Sequence, residues 1–331
     1  MTARALGLVG AVVILVGVVL LSLALGARDV PFDAVVAALI SPDLDNTDHV
    51  VVRDLRVPRT IIGLVAGGAL AVAGGLMQGL SRNPLADPGL LGVNAGASLF
   101  VVIGITWFGV TAATGYIWFA FAGAAAATVV VYAIGAGRSG NPTPVTLTLA
   151  GTAVTAVLTS IITLVLLGNL DTLNQYRFWA VGSLVGRDLE TVTSLAPFVF
   201  GGAVLAFAVS RMLNVLALGD DVARGLGQNV AVARALSAVA IVVLCGSATA
   251  IAGPIVFIGL VVPHIARRIT GPDYRWILAY SAVIGPALLV LADVVGRLLV
   301  RPTELEAGIV VAFLGAPVMI ALVRRSKVGG L

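Results

Sequence analysis

Charged residues are scarce in this sequence, and so are the residue types that build catalytic and metal sites. Only 11% of the 331 residues are charged and 59% are hydrophobic, whereas soluble domains carry about 25% charged residues. We therefore predict a membrane protein with several spans. The single cysteine, Cys245, excludes an internal disulfide, and its apolar neighbours favour a small buried hydrophobic side chain. His49 and His264 are isolated, without an HExxH or CxxC pattern, so no metal site is visible.

Lysine is almost absent as well, since Lys327 is the only one. The phosphate-binding pattern GxxxxGK(S/T) therefore cannot occur, and ATP-driven transport would need an ATPase on another chain. Basic residues are scattered over short loops, which is not the footprint of a nucleic-acid-binding protein. The apolar stretches also lack the acid pairs or relays of a proton- or sodium-coupled carrier. Asp293 and Arg297 come nearest, and a self-neutralising pair at the membrane interface explains them equally well.

Apolar windows that approach the roughly 20 residues needed to cross a bilayer recur along the whole chain. The ten windows lie near residues 6–26, 58–80, 90–110, 114–136, 145–168, 192–213, 231–252, 254–269, 276–299 and 306–323. Short loops rich in Gly, Pro, Asn and Asp separate them, so residues 1–331 are expected to form one transmembrane domain. Ten spans place both termini on one side of the membrane. The loops that would then be cytoplasmic carry the excess of basic residues, which favours cytoplasmic termini.

An internal repeat gives further information on topology. Residues 70–92 align without gaps onto residues 249–271, and Gly74 then meets Gly253. An odd number of predicted spans separates the two copies, so they would run in opposite directions across the membrane. Inverted repeats with helices broken by Gly and Pro are typical of transporters. The expected fold is therefore an all-α polytopic membrane protein with ten transmembrane helices and an inverted repeat.

Three polar segments interrupt the apolar pattern. In residues 216–236, two aspartates open a helix of about two turns that Gly227 closes. Such a helix is too short to be stable alone, so it packs on the bundle or docks into a partner. The loops 81–92 and 139–151 share an Asn-Pro pattern. Each is either an ordinary loop or irregular backbone that borders a pathway.

The stretch VVRDLRVPRT, residues 51–60, places three arginines just before a predicted span. In the topology above, Arg53, Arg56 and Arg59 lie outside, although basic residues normally mark the cytoplasmic end of a span. Snorkelling of the side chains to lipid headgroups is one explanation. A contact with a partner is the other.

Four segments together identify a family resemblance: RVPRTIIGLVAGGALAVAGGLMQGLSRNPLADPGLLGVNAGA, ARGLGQNV, AGPIVFIGLVVPHIARRI and PTELEAGIVVAFLGAPVMIALVRR. In order and spacing they resemble the FecCD-type permeases, the membrane subunits of ABC importers for iron–siderophore complexes, haem and cobalamin. The resemblance covers essentially the whole chain. It implies ten spans, in the bacterial plasma membrane, with helices 2–5 and 7–10 as inverted halves. It also implies a second permease subunit (a copy or a paralogue), two ATPase subunits that hold ATP and Mg²⁺, and an extracytoplasmic binding protein.

The resemblance also assigns roles to residues. Arg56, Arg59 and Arg297 match positions that receive acidic side chains of the binding protein, and Arg53 has weaker standing. The loop 216–230 matches the segment that couples to the ATPase, with contact residues Leu218, Gly219, Asp220, Asp221, Ala223, Arg224 and Gly227. Asn83, Leu85, Pro142 and Thr143 match the cytoplasmic gate, although Asn-Pro-Thr-Pro departs from the family's usual hydroxyl-rich run. Residues 176–186 resemble a short outer helix that closes the pore.

We therefore expect a non-catalytic permease that moves an iron(III)–siderophore complex or a similar chelate into the cytoplasm, and that itself holds no cofactor. Cobalamin or haem is the alternative cargo within the family. Without the resemblance, an ion-coupled secondary carrier would also fit the repeat. A pathway lined mainly by small and apolar side chains, without fixed charges, suits a bulky chelate.

Overall fold

The computed structural model describes residues 2–43, 45–110, 113–137, 143–186, 189–301 and 303–326, and these residues form a helical bundle without a strand. The helices are α1 (Thr2–Ala24), α2 (Phe32–Ile40), α3 (Thr47–Val50), α4 (Val57–Ser81), α5 (Val93–Phe108), α6 (Ala113–Ala136), α7 (Pro144–Gly168), α8 (Leu170–Ala180), α9 (Leu189–Leu216), α10 (Asp220–Gly225), α11 (Val230–Ala252), α12 (Ile258–Thr270), α13 (Tyr274–Leu299) and α14 (Ala307–Ser326). A π-helical turn (Val51–Arg56) joins α3 to α4, and a 3₁₀ turn (Pro88–Leu91) precedes α5.

The apolar windows of the sequence coincide with helices to within a few residues, because each window overlaps one of α1, α4–α7, α9 and α11–α14. Seven of the described helical stretches are long and apolar enough to cross a membrane, so the all-α membrane fold is confirmed. The total of ten spans is not confirmed. α5 has 16 residues and α12 has 13, and the apolar part of α14 is also short.

The short helices follow the sequence prediction less closely. α2 and α3 were not predicted. The predicted outer helix at residues 176–186 instead runs from Leu170 to Ala180 as α8. It begins there because the Asn169 side chain accepts a hydrogen bond from the Thr172 backbone N–H at 3.0 Å and so caps the first turn.

α4 runs through the centre of the bundle, where it packs against α9, α11, α12 and α13. At its crossing with α12, a Cβ on Gly74 would collide with the backbone of Gly259. A Cβ on Gly67 would likewise lie only 2.7 Å from the carbonyl oxygen of Gly285 in α13. Small residues at such crossings let membrane helices approach closely and gain van der Waals contact. The stretch containing α4 is 78% buried, against 11% for α1 and 17% for α7, so α4 forms the core that positions the other helices.

The helix contacts fall into matching pairs. α4 packs on α12 and α13, and α11 packs on α5 and α6. The contacts within α5, α6 and α7 likewise correspond to those within α12, α13 and α14. If α4, α5, α6 and α7 are matched in order with α11, α12, α13 and α14, each of these helix contacts in one half therefore has a counterpart in the other. The residue-level alignment of 70–92 with 249–271 is wrong, however, because Gly74 lies inside α4 whereas Gly253 ends α11.

Two breaks in the helical backbone meet inside the bundle. α4 ends at Arg82, which adopts a left-handed conformation with φ 52°, and the chain continues irregularly to α5. α11 ends at Gly253, and Phe257, with φ 70°, precedes α12. A Cβ on Gly259, in the first turn of α12, would lie 2.8 Å from Pro88 in the other break. Pro88 and Gly259 are buried where the two breaks meet, whereas Asn83 and Pro84 at the start of the first break are exposed.

Candidate functional site

The three predicted docking arginines lie at one end of the bundle, where α1 and α13 finish and α4 and α14 begin. We call it the outer end, following the predicted topology. Arg59, in the first turn of α4, donates from Nε to Asp293 Oδ1 of α13 at 2.8 Å and also pairs with Glu304. Arg297 pairs with Asp293 at 3.2 Å. These four residues form the outer ionic cluster.

Arginines at this end also hold the last turn of α1. The Arg56 guanidinium donates to three backbone carbonyls between Leu23 and Arg28, at 2.6–2.7 Å. Arg297 donates to two further carbonyls of this turn, at 3.0 and 3.1 Å, and to the Ser22 hydroxyl at 2.8 Å. Carbonyls at a helix C-terminus lack intrahelical partners and carry the negative end of the helix dipole. The arginines donate hydrogen bonds to these carbonyls and place positive charge at the negative end of the dipole, and so fix α1 to the bundle.

Receiving acidic side chains of a binding protein would require accessible guanidinium groups, yet these three arginines are buried. Arg56, Arg59 and Arg297 are only 4%, 8% and 2% exposed, because their guanidinium groups bond within the chain. All three nevertheless line one cleft of about 390 Å³ at the outer end, together with Glu304 and other residues. We call it the arginine cleft. Arg53 is exposed and lies outside the lining of this cleft.

Two residues of this region were not among the predicted site residues. Glu304 completes the outer ionic cluster. Arg301 donates to the Gly26 carbonyl at 2.9 Å and pairs with Asp29 at 3.1 Å, which adds a further tie to the end of α1. In the sequence, Arg301 and Glu304 belong to a run of charged residues directly after a predicted span, and this run is the only sign of their role. It could not reveal the partners, since they come from the other end of the chain.

The predicted coupling segment contains a short helix, as expected. α10 has six residues and begins at Asp220, and Gly227 follows it with φ 79°. Leu218, Val222 and Leu226 are 62%, 49% and 65% exposed, so this segment presents apolar side chains to its surroundings. The sequence prediction had included Leu218 alone of these three.

Two of the predicted coupling residues instead point into the chain. The Asp220 carboxylate pairs with Arg234 of α11 at 2.7 Å. It also pairs with Arg82, which directly follows α4 and precedes the predicted gate residues Asn83 and Leu85, at 3.1 Å. Ala223 is fully buried. By contrast, Asp221 and Arg224 pair with each other at 3.0 Å on the exposed side of α10. α10 is therefore bonded to both α11 and the end of α4.

A second polar junction links the end of α9 to the start of α13. The Asp273 carboxylate accepts hydrogen bonds from the Arg275 guanidinium, at 2.9 Å for the closest pair, and from the Asn214 amide at 2.8 Å. Asn214 in turn accepts from the Tyr274 backbone N–H at 2.8 Å. The Arg275 side chain is the main cause that lowers the pKa of Asp273 to about 2, with Asn214 contributing and burial opposing. Asp273 is thus ionised at neutral pH.

The predicted gate residues have local capping roles in the structure. Asn83 Oδ1 accepts from the Leu85 N–H at 2.9 Å and shapes the turn after α4. Thr143 caps α7 in a reciprocal arrangement with Thr146. Leu85 is half-buried, whereas Asn83 and Thr143 are exposed. Pro142 lies outside the described residues. Their role as a gate stays a prediction.

Comparison with known proteins agrees with this architecture. A family model described as the FecCD transport family matches residues 14–325. The ferric enterobactin transport system permease protein FepD of Escherichia coli (strain K12) is 48% identical over 99% of this chain and 97% of its own length. The iron(3+)-hydroxamate import system permease protein FhuB of Bacillus subtilis (strain 168) is 40% identical, over 93% of this chain and 80% of its own.

A more distant relative and a solved structure extend the comparison. The cobalamin import system permease protein BtuC of Halobacterium salinarum is 36% identical over 91% of this chain and 81% of its own. A solved structure, described as an inward-facing conformation of a metal-chelate type ABC transporter, superposes with a TM-score of 0.83 and 25% identity. It covers 96% of this chain and 98% of that one. The match over residues 14–325 and the full-length relatives together show that the chain belongs to the FecCD transport family.

Proposed function

We propose that this chain is the permease subunit of an ATP-binding cassette importer that moves an iron(III)–siderophore complex, or a similar metal chelate, into the cytoplasm. The observation that carries the proposal is 48% identity, over 99% of the chain, to a permease named for ferric enterobactin. Relatives named for iron(3+)-hydroxamate and iron(3+)-citrate follow at 40% and 41% identity. The chain would hydrolyse no ATP and hold no cofactor.

The proposed topology has ten spans, with both termini in the cytoplasm of a bacterium. α4–α7 and α11–α14 would be inverted halves, and the matched helix contacts support this assignment. The short helices α5 and α12 fit the same scheme, because each follows a broken segment inside the bundle and crosses only part of the membrane depth.

Two ATPase subunits would bind at the end of the bundle that carries α10. The exposed apolar side chains of this segment favour a protein partner, since such groups in water gain free energy on burial. The ion pairs of Asp220 would then transmit movement of α10 to α11 and to the turn that begins at Arg82.

A second permease subunit, a copy or a paralogue, would pack beside α7. This helix is apolar yet little buried, and it carries hydroxyl groups at helical spacing: Thr148, Thr152, Thr155, Thr159 and Thr163. Residues three and four apart share one face of a helix. A weakly polar face of this kind is suited to a pathway between two subunits, where a bulky chelate passes without being held by a fixed charge.

The extracytoplasmic binding protein would dock at the outer end. Arg56, Arg59 and Arg297 are buried, so an acidic side chain would have to enter the arginine cleft to meet them. Asp293 and Glu304 already arrange Arg59, Asp293 also arranges Arg297, and backbone carbonyls near the end of α1 arrange Arg56. A preorganised cleft of this kind costs little side-chain entropy on binding.

Transport by reconstituted protein tests the proposal. The permease would be co-purified with its ATPase, placed in proteoliposomes and supplied with its binding protein and ferric enterobactin, a ferric hydroxamate, cyanocobalamin or haem. We expect uptake of a ferric siderophore that requires ATP and resists ionophores. Preference for cyanocobalamin or haem would favour the second candidate, which the cobalamin- and hemin-named relatives at 36% identity support. Uptake without ATP that an ionophore abolishes would overturn the proposal.

A further inference from the structure

Three arginines lie at the end of the bundle opposite the outer end, which we call the inner end. Here α1 and α13 begin and α12 finishes. Arg4 is in the first turn of α1, and Arg267 and Arg268 are in the last turn of α12. We call these three residues the inner arginine patch.

Contacts within the chain bring the start of α1 against the end of α12. The Tyr280 hydroxyl of α13 donates to the Arg4 backbone carbonyl at 2.8 Å and so fixes the start of α1. A Cβ on Gly271, the residue that ends α12, would lie 3.6 Å from the Arg4 guanidinium. Side chains three positions apart on a helix start about 5–6 Å from each other, so the Arg268 side chain starts close to the same turn. Both side chains are long, and their guanidinium groups can meet on one phosphate group.

The inner arginine patch is not neutralised by acidic side chains. Within the described part of the chain, none of its three arginines takes part in an ion pair. Arg267 donates instead to two neutral groups, the Tyr274 hydroxyl at 3.2 Å and Gln78 Oε1 at 3.4 Å. Asp273, in the turn after α12, already pairs with Arg275 at 2.9 Å. The patch therefore carries net positive charge, whereas the outer ionic cluster balances two arginines with two acids.

Exposed apolar side chains adjoin the patch on both helices. Leu6 and Val9 of α1 are 72% and 60% exposed, and Ile265 of α12 is 38% exposed. Ile265 is three positions before Arg268 and so shares its side of α12. Because α1 begins and α12 finishes at the inner end, these apolar residues lie deeper in the bundle than the arginines. Positive charge at the end of the bundle, with apolar surface next to it, matches the headgroup and the acyl chains of an anionic lipid.

The position of the patch separates it from the surface where we place the ATPase. That surface is at α10, which packs on α9 and α11. The patch is on α1 and α12, and both of these helices pack on α13. The span in α1 is only 11% buried within the chain, so lipid is its natural neighbour. The partner that fits is therefore a lipid beside α1.

We propose that the inner arginine patch binds the phosphate of an anionic phospholipid, such as phosphatidylglycerol, in the leaflet at the inner end. Basic residues at the cytoplasmic ends of spans attract anionic lipid in general. This patch differs because Arg4 and Arg268 belong to distant parts of the sequence and are held at one turn. A lipid bound there would join α1 to α12, at the end of α1 remote from the arginine cleft. The inference does not depend on the cargo of the transporter.

Lipid counting by native mass spectrometry tests the site. The target is the permease–ATPase complex, released from nanodiscs of phosphatidylcholine with increasing fractions of phosphatidylglycerol. The double variant Arg4→Gln/Arg268→Gln removes two charges at similar side-chain length, and we expect bound phosphatidylglycerol to fall about threefold or more. The control is Arg211→Gln/Arg324→Gln, which removes the same charge. Both control residues are exposed, lie near the inner end of their helices and form no ion pair within the described residues.

Thermal unfolding gives a second readout. Phosphatidylglycerol should raise the midpoint of the unmutated complex and of the control variant. It should raise the midpoint of Arg4→Gln/Arg268→Gln by less than half as much, because the bound lipid joins two helices only where the patch is intact.

Four outcomes would overturn the proposal. Equal loss of phosphatidylglycerol from the two double variants would leave only a general attraction of lipid to a basic surface. Equal stabilisation of the unmutated complex by inorganic phosphate, in nanodiscs of phosphatidylcholine alone, would favour a free anion. Loss of the ATPase from Arg4→Gln/Arg268→Gln, with bound lipid unchanged, would favour a protein contact. The unmutated complex needs no substitution: if it carries no more phosphatidylglycerol than the composition of the nanodisc supplies, the site does not exist.

Discussion

Asp220 should matter far more than its neighbour Asp221, although both stand at the start of α10. The Asp220 carboxylate joins α10 to Arg234 at 2.7 Å and to Arg82 at 3.1 Å. The Arg234 side chain is only 7% exposed, and the Asp220 side chain is 24% exposed. The Asp221 carboxylate is 98% exposed, and its partner within the described part of the chain is an arginine of its own helix. The substitutions Asp220→Asn and Asp221→Asn therefore remove the same charge from two different environments.

The two environments set the expected magnitudes. Removing one partner from a fully buried ion pair costs about 3–5 kcal/mol. Asp220 is partly hydrated and an amide can still accept a hydrogen bond, so we expect Asp220→Asn to lower the free energy of unfolding by about 1–3 kcal/mol. An exposed pair contributes little, and Asp221→Asn should leave stability unchanged within error.

Thermal unfolding of the purified permease, followed by the stimulation of ATP hydrolysis by loaded binding protein, would measure both consequences. We expect a lower midpoint for Asp220→Asn and a lower ratio of stimulated to basal ATP hydrolysis, because α10 would no longer be fixed to the turn at Arg82. Asp220→Glu should restore part of the midpoint. Indistinguishable behaviour of Asp220→Asn and Asp221→Asn in both assays would refute the reasoning.

Three further substitutions have clear expected outcomes. Arg59→Ala should lower the thermal midpoint markedly, because removing one partner from a buried ion pair costs about 3–5 kcal/mol. Arg53→Ala, at an exposed site, should leave the midpoint unchanged. Equal midpoints for the two variants would contradict a stabilising role of the buried cluster. Gly74→Ala should destabilise the bundle by about 1–3 kcal/mol or more through overpacking, whereas Gly201→Ala, which meets no atom within 4 Å, should be neutral or stabilising. Asp273→Asn should lower stability at pH 7, and the difference should shrink as the pH falls from about 4 towards about 2. The reason is that the depressed pKa of Asp273, about 2, makes the carboxylate stabilising only above that range; a constant difference from pH 7 to pH 3 would contradict it.

The sequence predicts well what depends on local pattern. Apolar runs of sufficient length locate the long helices, and the left-handed conformation of Gly227 follows from its place after a short helix. It predicts poorly what depends on distant partners. Arg56 looks like an exposed arginine beside a span, yet it is buried because three of its five donors bond to carbonyls at and just after the end of α1. In the sequence, Asp220 looks like a contact for another chain, yet in the structure it pairs with Arg82 and Arg234.

The repeat shows the same limit at the level of the fold. Glycine and proline recur in both halves, and this recurrence is enough to suggest the topology. The helix ends do not follow the aligned residues, because α4 continues past Gly74 to Ser81 whereas α11 ends at Ala252, just before Gly253. The matching of helix contacts therefore holds between the halves, while the matching of individual residues does not.

The ties between α1 and the arginines have a consequence for synthesis. Ser22 and Arg297, which bond to each other, are 275 residues apart in the chain. A ribosome delivers α1 to the membrane first and α13 near the end, so the last carbonyls of α1 must wait through most of translation for one of their partners. Arg59 likewise cannot form its ion pair until Asp293, 234 residues later in the chain, has been synthesised. In the proposed topology Arg56 and Arg59 reach the outer surface early and remain hydrated there, and the outer end closes only when α13 brings Asp293 and Arg297. Chains released before that point would lack the bonds from Arg297, and the end of α1 would be held by Arg56 without them.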